Sequence, residues 1–325
     1  VTGSAASSAD SPNHTGPKVS RVGYFGPRGT FTEQALFTQP ELVGGEVVPY
    51  PSIPEVLAAA ESGEVDMGFI PIENAIEGSV NVTLDTLAFE TDLLIEREVV
   101  IPISMCLITL PGVTLDALTT IVSFPHALAQ CRRFMSKELP ADITTVAANS
   151  TADAVRALSE SGDRHTGALG PGRAAEVYGL TVLAEGIEDH PENETRFVAV
   201  APGGIPAPTG HDKTTIVVFQ RADAPGSLLA ILQEFAARAI NLVKLESRPT
   251  KRGLGDYCFL IDLEGHVEDE LVADCLRDLK SKHDVKFLGS YPAAGDRGPA
   301  VRREADVAWR QADEWLANLR SQVEH

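Results

Sequence analysis

The chain has 325 residues, enough for two or three domains. Its 27 Lys and Arg face 46 Asp and Glu, a formal charge of −19, which argues against nucleic acid or an anionic membrane as partner and leaves room for a small anionic substrate in a local pocket. The four cysteines lie far apart in apolar contexts and read as buried thiols of a reducing cytoplasm, and the longest apolar run, "VVIPISMCLITL", is too short to span a bilayer.

Residues 1–19 are mostly small and polar and lack an apolar h-region, so a disordered tail is expected and a signal peptide is not. From Arg21 the pattern is α/β. "RVGYFG" reads as a strand, "TFTEQALF" opens a helix, and Thr30 and Glu33 have capping-box spacing. "EVVPYPS", the Ser52-capped helix "PEVLAAAES", the apolar strand "VDMGFIPI" and the helix "NVTLDTLAF" follow. "LLIEREVVIPISMCLITL" is longer than most strands and reads as a chain crossing between lobes. A second set of units comes next: strand "TIVS", one helix "HALAQCRRFMSKEL", strand "ITTVAA", the Ser150-capped helix "TADAVRALSES", strand "TGALG" and helix "PGRAAEVYG". Two α/β lobes with crossovers near 92–102 and 181–195 predict a cleft-forming, periplasmic-binding-protein-like unit over residues 20–202. Residues 203–212, rich in Pro and Gly, read as a linker. A βαββαβ pattern over 213–291 matches the ferredoxin-like motif. The end, 292–325, carries Ala308, Ala312, Trp315, Leu316 and Leu319 on one helical face, a helix expected to pack on a domain or a partner chain.

Polar residues gather where these strands end. "GPRGTFTEQ" places Gly26, Gly29 and Thr30 at a helix start, where free N–H groups favour an anion or simply make a good cap. Glu73 and Asn74 end a buried strand, where open α/β sheets place ligands, and Gly78 and Ser79 open the next helix. "SFPHALAQC" offers Ser123 as a cap, Gln130 two turns in, and His126, which has no triad partner nearby in sequence. Asn149, Ser150 and Thr151 mark one more helix start. Gly170-x-Gly172-x-x-Ala175 fits a loose dinucleotide fingerprint, with Glu188 beyond it, but it sits late in its lobe and Pro171 stiffens the loop. "PENETRF", at 191–197, crowds polar groups against the apolar run that follows. Taken alone it fits a solvated turn with a Glu–Arg pair better than a site.

Together "GYFGPRGTFTEQAL", "GFIPIENAIEGSV", "NSTADAV" and "ENETRF" resemble prephenate dehydratase, and "APGSLLAILQEFAARAINLVKLESRP" looks like an ACT domain of the phenylalanine-sensing kind. The resemblance covers residues 20–291. It implies conversion of prephenate to phenylpyruvate, carbon dioxide and water, with no cofactor or metal, in the cytoplasm. It also implies L-phenylalanine as effector and a homodimer or homotetramer joined through ACT domains. The implied catalytic residues are Thr195, Glu73, Asn74, Ser79 and Gln130, and the implied substrate contacts are Thr30, Phe31, Ser123, Asn149, Thr151, Arg196 and Phe197. The implied phenylalanine site takes Gly226, Ser227, Leu228, Asn241, Leu242, Glu246, Ser247, Arg248 and Pro249. Two motifs depart from the family: S-H-P-Q-A-L reads Ser123-Phe124-Pro125-His126-Ala127-Leu128, and the ACT G-A-L reads Gly226-Ser227-Leu228. No chorismate mutase segment precedes residue 20, so a monofunctional enzyme is expected. Arogenate dehydratase, a non-enzymatic amino-acid sensor and an ACT-linked NAD dehydrogenase are the alternatives.

Overall fold

The computed structural model describes residues 19–220, 225–251, 253, 256–295, 311 and 314–322. The expected tail, Val19 excepted, and the terminal residues Ala308 and Ala312 lie outside them.

Three sheets organise the described residues. The first lobe has the order β2-β1-β3-β11-β5, from β1 (Arg21–Phe25), β2 (Glu46–Tyr50), β3 (Met67–Asn74), β5 (Leu94–Pro102) and β11 (Glu194–Ala201), with the short β4 (Gly78–Ser79) paired to β3. The continuous apolar run "VDMGFIPI" fits a strand buried in a parallel sheet. β3 does run parallel to β1, but the returning β11 pairs antiparallel with both β3 and β5, so the sheet is mixed. Helices α1 (Phe31–Leu36), α2 (Ile53–Glu61) and α3 (Asn81–Phe89) cover it. Thr30 Oγ1 accepts the Glu33 N–H at 3.2 Å and Ser52 Oγ accepts that of Glu55 at 3.4 Å, the caps their spacing predicts.

The second lobe has the order β10-β6-β9-β7-β8, from β6 (Cys106–Thr109), β7 (Thr120–Ser123), β8 (Thr144–Ala147), β9 (Thr166–Gly170) and β10 (Thr181–Ala184). The single helix expected over 126–139 is two, α4 (Pro125–Gln130) and α5 (Arg132–Glu138), broken at Cys131. Asp189 explains the break. Its N–H donates to Gln130 O at 2.6 Å, and its carboxylate accepts the Arg133 N–H at 3.0 Å, capping the second helix. Helix α6 (Thr151–Ser161) is capped by Ser150 as expected, and α7 is Gly172–Tyr178.

The ACT-like unit is β12 (Asp212–Phe219), α8 (Ser227–Ala236), β13 (Leu242–Pro249), β14 (Tyr257–Glu264), α9 (Glu270–Lys282) and β15 (Asp284–Pro292), in the order β13-β14-β12-β15. One sheet face packs α8 and α9 over Ile216, Val218, Phe259 and Ile261. The other face is not free: Val217, Leu260, Leu288 and Tyr291 share a core with Ile70, Ile95, Val198 and Val200 of the first lobe. The connection therefore joins two bodies already held by apolar burial. In the terminal segment, residues 314–320 are helical, with Trp315 64% exposed, so the described part does not bury its apolar face on this chain.

The sheet-to-sheet contact is tightest at Gly289, where φ is +144° and an added Cβ would lie 2.3 Å from Ile95 O of β5. Gly289→Ala combines backbone strain with overpacking and is expected to destabilise by about 2–4 kcal/mol. Thermal unfolding should show Tm lowered by roughly 5–10 °C. A Tm within about 1 °C of the parent would show that β5 yields to the methyl group.

Candidate active site between the two lobes

The lobes are joined by two short crossings that run side by side. The chain leaves β5 at Pro102 and enters β6 at Cys106; it returns from Ala184 to Glu194. Ile103 N–H donates to Asn193 O at 2.8 Å, Ile187 N–H to Met105 O at 3.1 Å, and Met105 N–H to Glu188 Oε2 at 2.7 Å. Glu188, the acidic residue of the loose dinucleotide fingerprint, is thus held in the hinge.

Thr195 stands where β11 emerges from this hinge. Asn74, at the end of β3, pairs with it across the sheet. Asn74 Nδ2 donates to Thr195 Oγ1 at 2.8 Å and to Asn193 Oδ1 at 2.9 Å. Asn74 Oδ1 accepts the N–H groups of Ile76 at 3.0 Å and Glu77 at 2.9 Å. Two backbone donors on the oxygen fix the amide's orientation, so the group facing Thr195 is the NH2. A hydroxyl that accepts there keeps its own proton for another acceptor. Among the described residues, Asn74 is the hydrogen-bond partner of the Thr195 hydroxyl.

The strand ends of the two lobes face each other. Glu77, following β3, brings Oε1 to 3.2 Å from both Gln130 Nε2 and His126 Nδ1 of α4. His126 is largely exposed and stacks on Phe124. Phe31 packs against the cores of both lobes. Buried Glu33 accepts from Gly29 N–H at 2.7 Å and Tyr24 OH at 3.0 Å, and meets Arg173 of α7 at 3.4 Å. Gly29, at φ +81°, has no room for a Cβ, which would sit 2.9 Å from Ala174 Cα. Asn149 is exposed and Thr151 half-buried at the start of α6.

Several residues assigned by motif do not join this group. Ser123 is wholly buried, donates to Leu169 O at 2.7 Å, and does not cap α4, whose N-cap is Phe124. Phe197 is buried and stacks on Phe69 with ring centroids 5.7 Å apart. Ser79 lies in β4 and not at the start of α3; its hydroxyl donates to Glu246 and accepts from Lys244 Nζ at 2.7 Å. Glu73 meets Lys244 at 3.1 Å and Arg196 at 3.4 Å.

Arg196 is the largest correction. Strand alternation turns it to the face opposite Thr195, toward the ACT sheet. Its Nη1 donates to Asp262 Oδ2 at 2.5 Å and its Nη2 to Tyr291 OH at 2.8 Å. Its Nε forms an ion pair with Glu98 Oε2 at 2.7 Å, off hydrogen-bond alignment. Burial works against the guanidinium's charge; Tyr291, Asp262 and Glu98 reverse that and hold its pKa well above the ordinary value. Burial raises the Tyr291 hydroxyl too, which keeps it protonated.

On the ACT unit, Glu246 and Arg248 also face the first lobe. Glu246 meets Ser79, while Arg248 Nε donates to Asp85 at 2.8 Å and Nη1 to Asn81 at 2.7 Å. They are therefore engaged away from the exposed row of Ser247 and Pro249. Leu228 and Leu242 pack against one ACT core, and Ser227 accepts from Gln220 at 2.8 Å.

Sequence reasoning missed Glu77 and Asn193 as members of the cleft, though both lie inside quoted motifs. It also missed Glu98, Asp262 and Tyr291. Only Asp262 had a signal, a lone acid within the apolar run "FLIDL", which demands a buried partner; Glu98 stands beside Glu96 and Arg97 in "EREVVI", and nothing in the sequence marked Tyr291.

The prephenate dehydratase family matches residues 22–203 and the ACT domain family residues 214–281. A prephenate dehydratase of Mycolicibacterium gilvum is 40% identical over 311 residues, covering 92% of this chain and 98% of its own. The crystal structure of Arthrobacter aurescens prephenate dehydratase in complex with L-Phe superposes with a TM-score of 0.85 at 39% identity, over 93% of this chain and 99% of that one. A quorum-quenching acylase superposes with a TM-score of 0.75 at 27% identity, over 84% and 98%. Matched over both units and nearly its whole length, the chain belongs to the prephenate dehydratase family and carries a C-terminal ACT domain.

Proposed function

We propose that Thr195 is the proton-donating group of prephenate dehydration and that Asn74 orients it. The family's activity, prephenate to phenylpyruvate with regulation through the ACT domain, is the activity of this chain. The reaction takes a dianion and one proton to phenylpyruvate, carbon dioxide and water. The ring carboxylate's C–C bond breaks, its electron pair enters the ring, and the 4-hydroxyl leaves with the added proton. A positioned donor at that hydroxyl contributes about 10²–10⁴ in rate. Threonine is a weak acid, so a solvent water relays to it the one proton that the overall reaction consumes. The observation that carries this reading is the 2.8 Å bond from Asn74 Nδ2, which fills an acceptor site on Oγ1 and leaves the O–H free to point at the substrate.

Gln130 closes the cleft through Glu77, and Thr30, Phe31, Asn149 and Thr151 supply the remaining contacts to the dianion. Arg196, Glu73, Ser79, Ser123 and Phe197 are left out of direct substrate contact. An acyl-hydrolase reading, suggested by the acylase of similar fold, lacks support: a nucleophilic hydroxyl needs a base, and Thr195 has an amide donor beside it.

For the effector we propose phenylalanine at a contact between two ACT units, in a homodimer or a pair of dimers. Edge strand β13 presents Val243, Leu245, Ser247 and Pro249 outward, beside no further strand of this chain among the described residues. Such an edge accepts a second copy. Gly226, Ser227, Leu228, Asn241 and Leu242 are the proposed ligand contacts. Glu246 and Arg248 act indirectly, through the first lobe. Four free buried cysteines fit a cytoplasmic setting, and among the described residues no helix is long and apolar enough to cross a membrane.

Thr195→Ala should lower kcat by about 10²–10⁴ with KM little changed, Thr195→Ser should keep part of the rate, and Asn74→Ala should lose most of it. The assay is phenylpyruvate absorbance from prephenate, with arogenate in parallel. Near-normal kcat in Thr195→Ala removes the hydroxyl from the mechanism. His126→Asn should keep turnover within a few-fold across neutral pH, since its contact with Glu77 is exposed and such pairs are worth about 0–1 kcal/mol. A collapse of the rate would make His126 the acid. Leu245→Glu should shift light-scattering mass toward smaller species and weaken phenylalanine inhibition; unchanged mass would place the assembly surface elsewhere.

A further inference from the structure

The group around Arg196 draws on three adjacent strands from each of two sheets. Glu73 comes from β3, Arg196 from β11 and Glu98 from β5; Asp262 comes from β14, Lys213 and Thr215 from β12, and Tyr291 from β15. Lys213 Nζ lies 2.8 and 2.9 Å from the two Glu98 oxygens. Thr215 Oγ1 donates to Asp262 Oδ1 at 2.7 Å and lies 2.6 Å from Tyr291 OH. Ala294 N–H donates to Glu98 at 3.1 Å. Glu98, Asp262 and Tyr291 are almost wholly buried, so this is a fixed set of contacts and not a surface ion pair.

We propose that Arg196 is a positioning residue that ties the cleft threonine to the ACT sheet, so that an effector on the ACT domain acts on turnover through Asp262 and Tyr291. This rests on the reading of Thr195 as the reacting hydroxyl and of the ACT domain as its regulator. Thr195 and Arg196 are consecutive, and alternation sends one to the cleft and the other to the ACT sheet. A shift of Asp262 and Tyr291 must carry the guanidinium, and with it β11, or break a buried charge's hydrogen bonds. The start of β11 is bound to both sides of the hinge, through Ala75 N–H to Glu194 O at 2.8 Å and Ile103 N–H to Asn193 O at 2.8 Å. Movement of β11 therefore strains the Asn74–Thr195 contact and carries the reacting hydroxyl relative to the second lobe. A β-bulge opposite Arg196–Phe197 in β3 leaves Ile72 without a partner in β11 and gives this part of the ladder room to readjust. An effector shifts such an equilibrium only through contacts that differ between the two states, and the Asp262–Arg196–Tyr291 set supplies a discrete contact that can differ.

The test uses full-length Asp262→Asn and Tyr291→Phe, neither of which touches the cleft, with prephenate turnover and phenylalanine calorimetry on each. Both should bind phenylalanine and keep uninhibited turnover within a few-fold. The response to phenylalanine, typically about 5–150-fold for such coupling, should fall to about twofold or less. Arg196→Lys should lower kcat with KM nearly unchanged and blunt the same response. A purely structural role would lower Tm in all three and leave inhibition in place, overturning the proposal. So would Arg196→Lys that raises KM and stays fully inhibited, the signature of a substrate contact. If Asp262→Asn does not fold, Tyr291→Phe, which loses a single hydroxyl, decides. A parent enzyme that ignores phenylalanine removes the regulatory reading and this proposal together. A responsive parent with equally responsive variants removes this proposal alone.

Discussion

A β-strand turns successive side chains to opposite faces, and in β11 that alternation is asked to serve two surfaces at once. Thr195, Phe197 and Ala199 belong with the α1 side and the cleft; Arg196, Val198 and Val200 belong with α2, α3 and the ACT sheet. A slip of one residue would bury Thr195 under the ACT sheet and push a guanidinium against Phe69. Register is therefore fixed strongly, because one face needs apolar burial and the other needs a cation at one position. The bulge in β3 is consistent with this: it lets Asn74 pair with Thr195 while Glu73 pairs with Arg196, and Ile72 is skipped in the β11 register.

The same constraint decides where much of the chain's positive charge is spent. Many of the basic side chains that might have faced the cleft are neutralised elsewhere: Arg196 and Lys213 by Glu98 and Asp262, Lys244 by Glu73, Arg248 by Asp85 and Glu246. Removing one partner of a buried pair typically costs about 3–5 kcal/mol, because the remaining charge is left desolvated. Such contacts thus set where the ACT domain docks more than they add net stability. Across the cleft the facing groups mix amides and hydroxyls with the Glu77 carboxylate and His126.

Much of the architecture was legible in the sequence because it rests on local periodicity and caps. Ser52, Ser150 and Thr30 announced their helices, and βαββαβ order in "KTTIVVFQ" through "VKFLGSY" sufficed for the ACT fold. The break at Cys131 was not legible, because its cause, Asp189, arrives from the return crossing far along the chain. The resemblance put Thr195 and Asn74 in one set of expected site residues, and the fold brings their side chains to 2.8 Å. The resemblance could not say which way Arg196 faces, because a motif records adjacency along the chain, and alternation makes adjacency the opposite of sharing a surface. Ser79 and Glu246 are a similar case: each sits in a motif with its own expected ligand, and the fold brings them to each other.

How the ACT domain is attached also bears on what regulation can look like. A domain on a flexible tether influences its neighbour mainly by occupancy and effective concentration. Here Val217, Leu260, Leu288 and Tyr291 lie in one core with Ile95, Val198 and Val200, and the Gly289 backbone touches that of Ile95. A close-packed contact of that kind does not slide by small degrees; it changes by exchanging one set of packed neighbours for another. Regulation through it should be switch-like, with two arrangements of the sheet pair separated by the breaking and remaking of the buried polar set. The polar cluster sits at the end of the contact near Thr195, and the apolar packing fills the rest. The apolar part resists separation of the domains in either arrangement, while the directional hydrogen bonds of Arg196 distinguish one arrangement from the other.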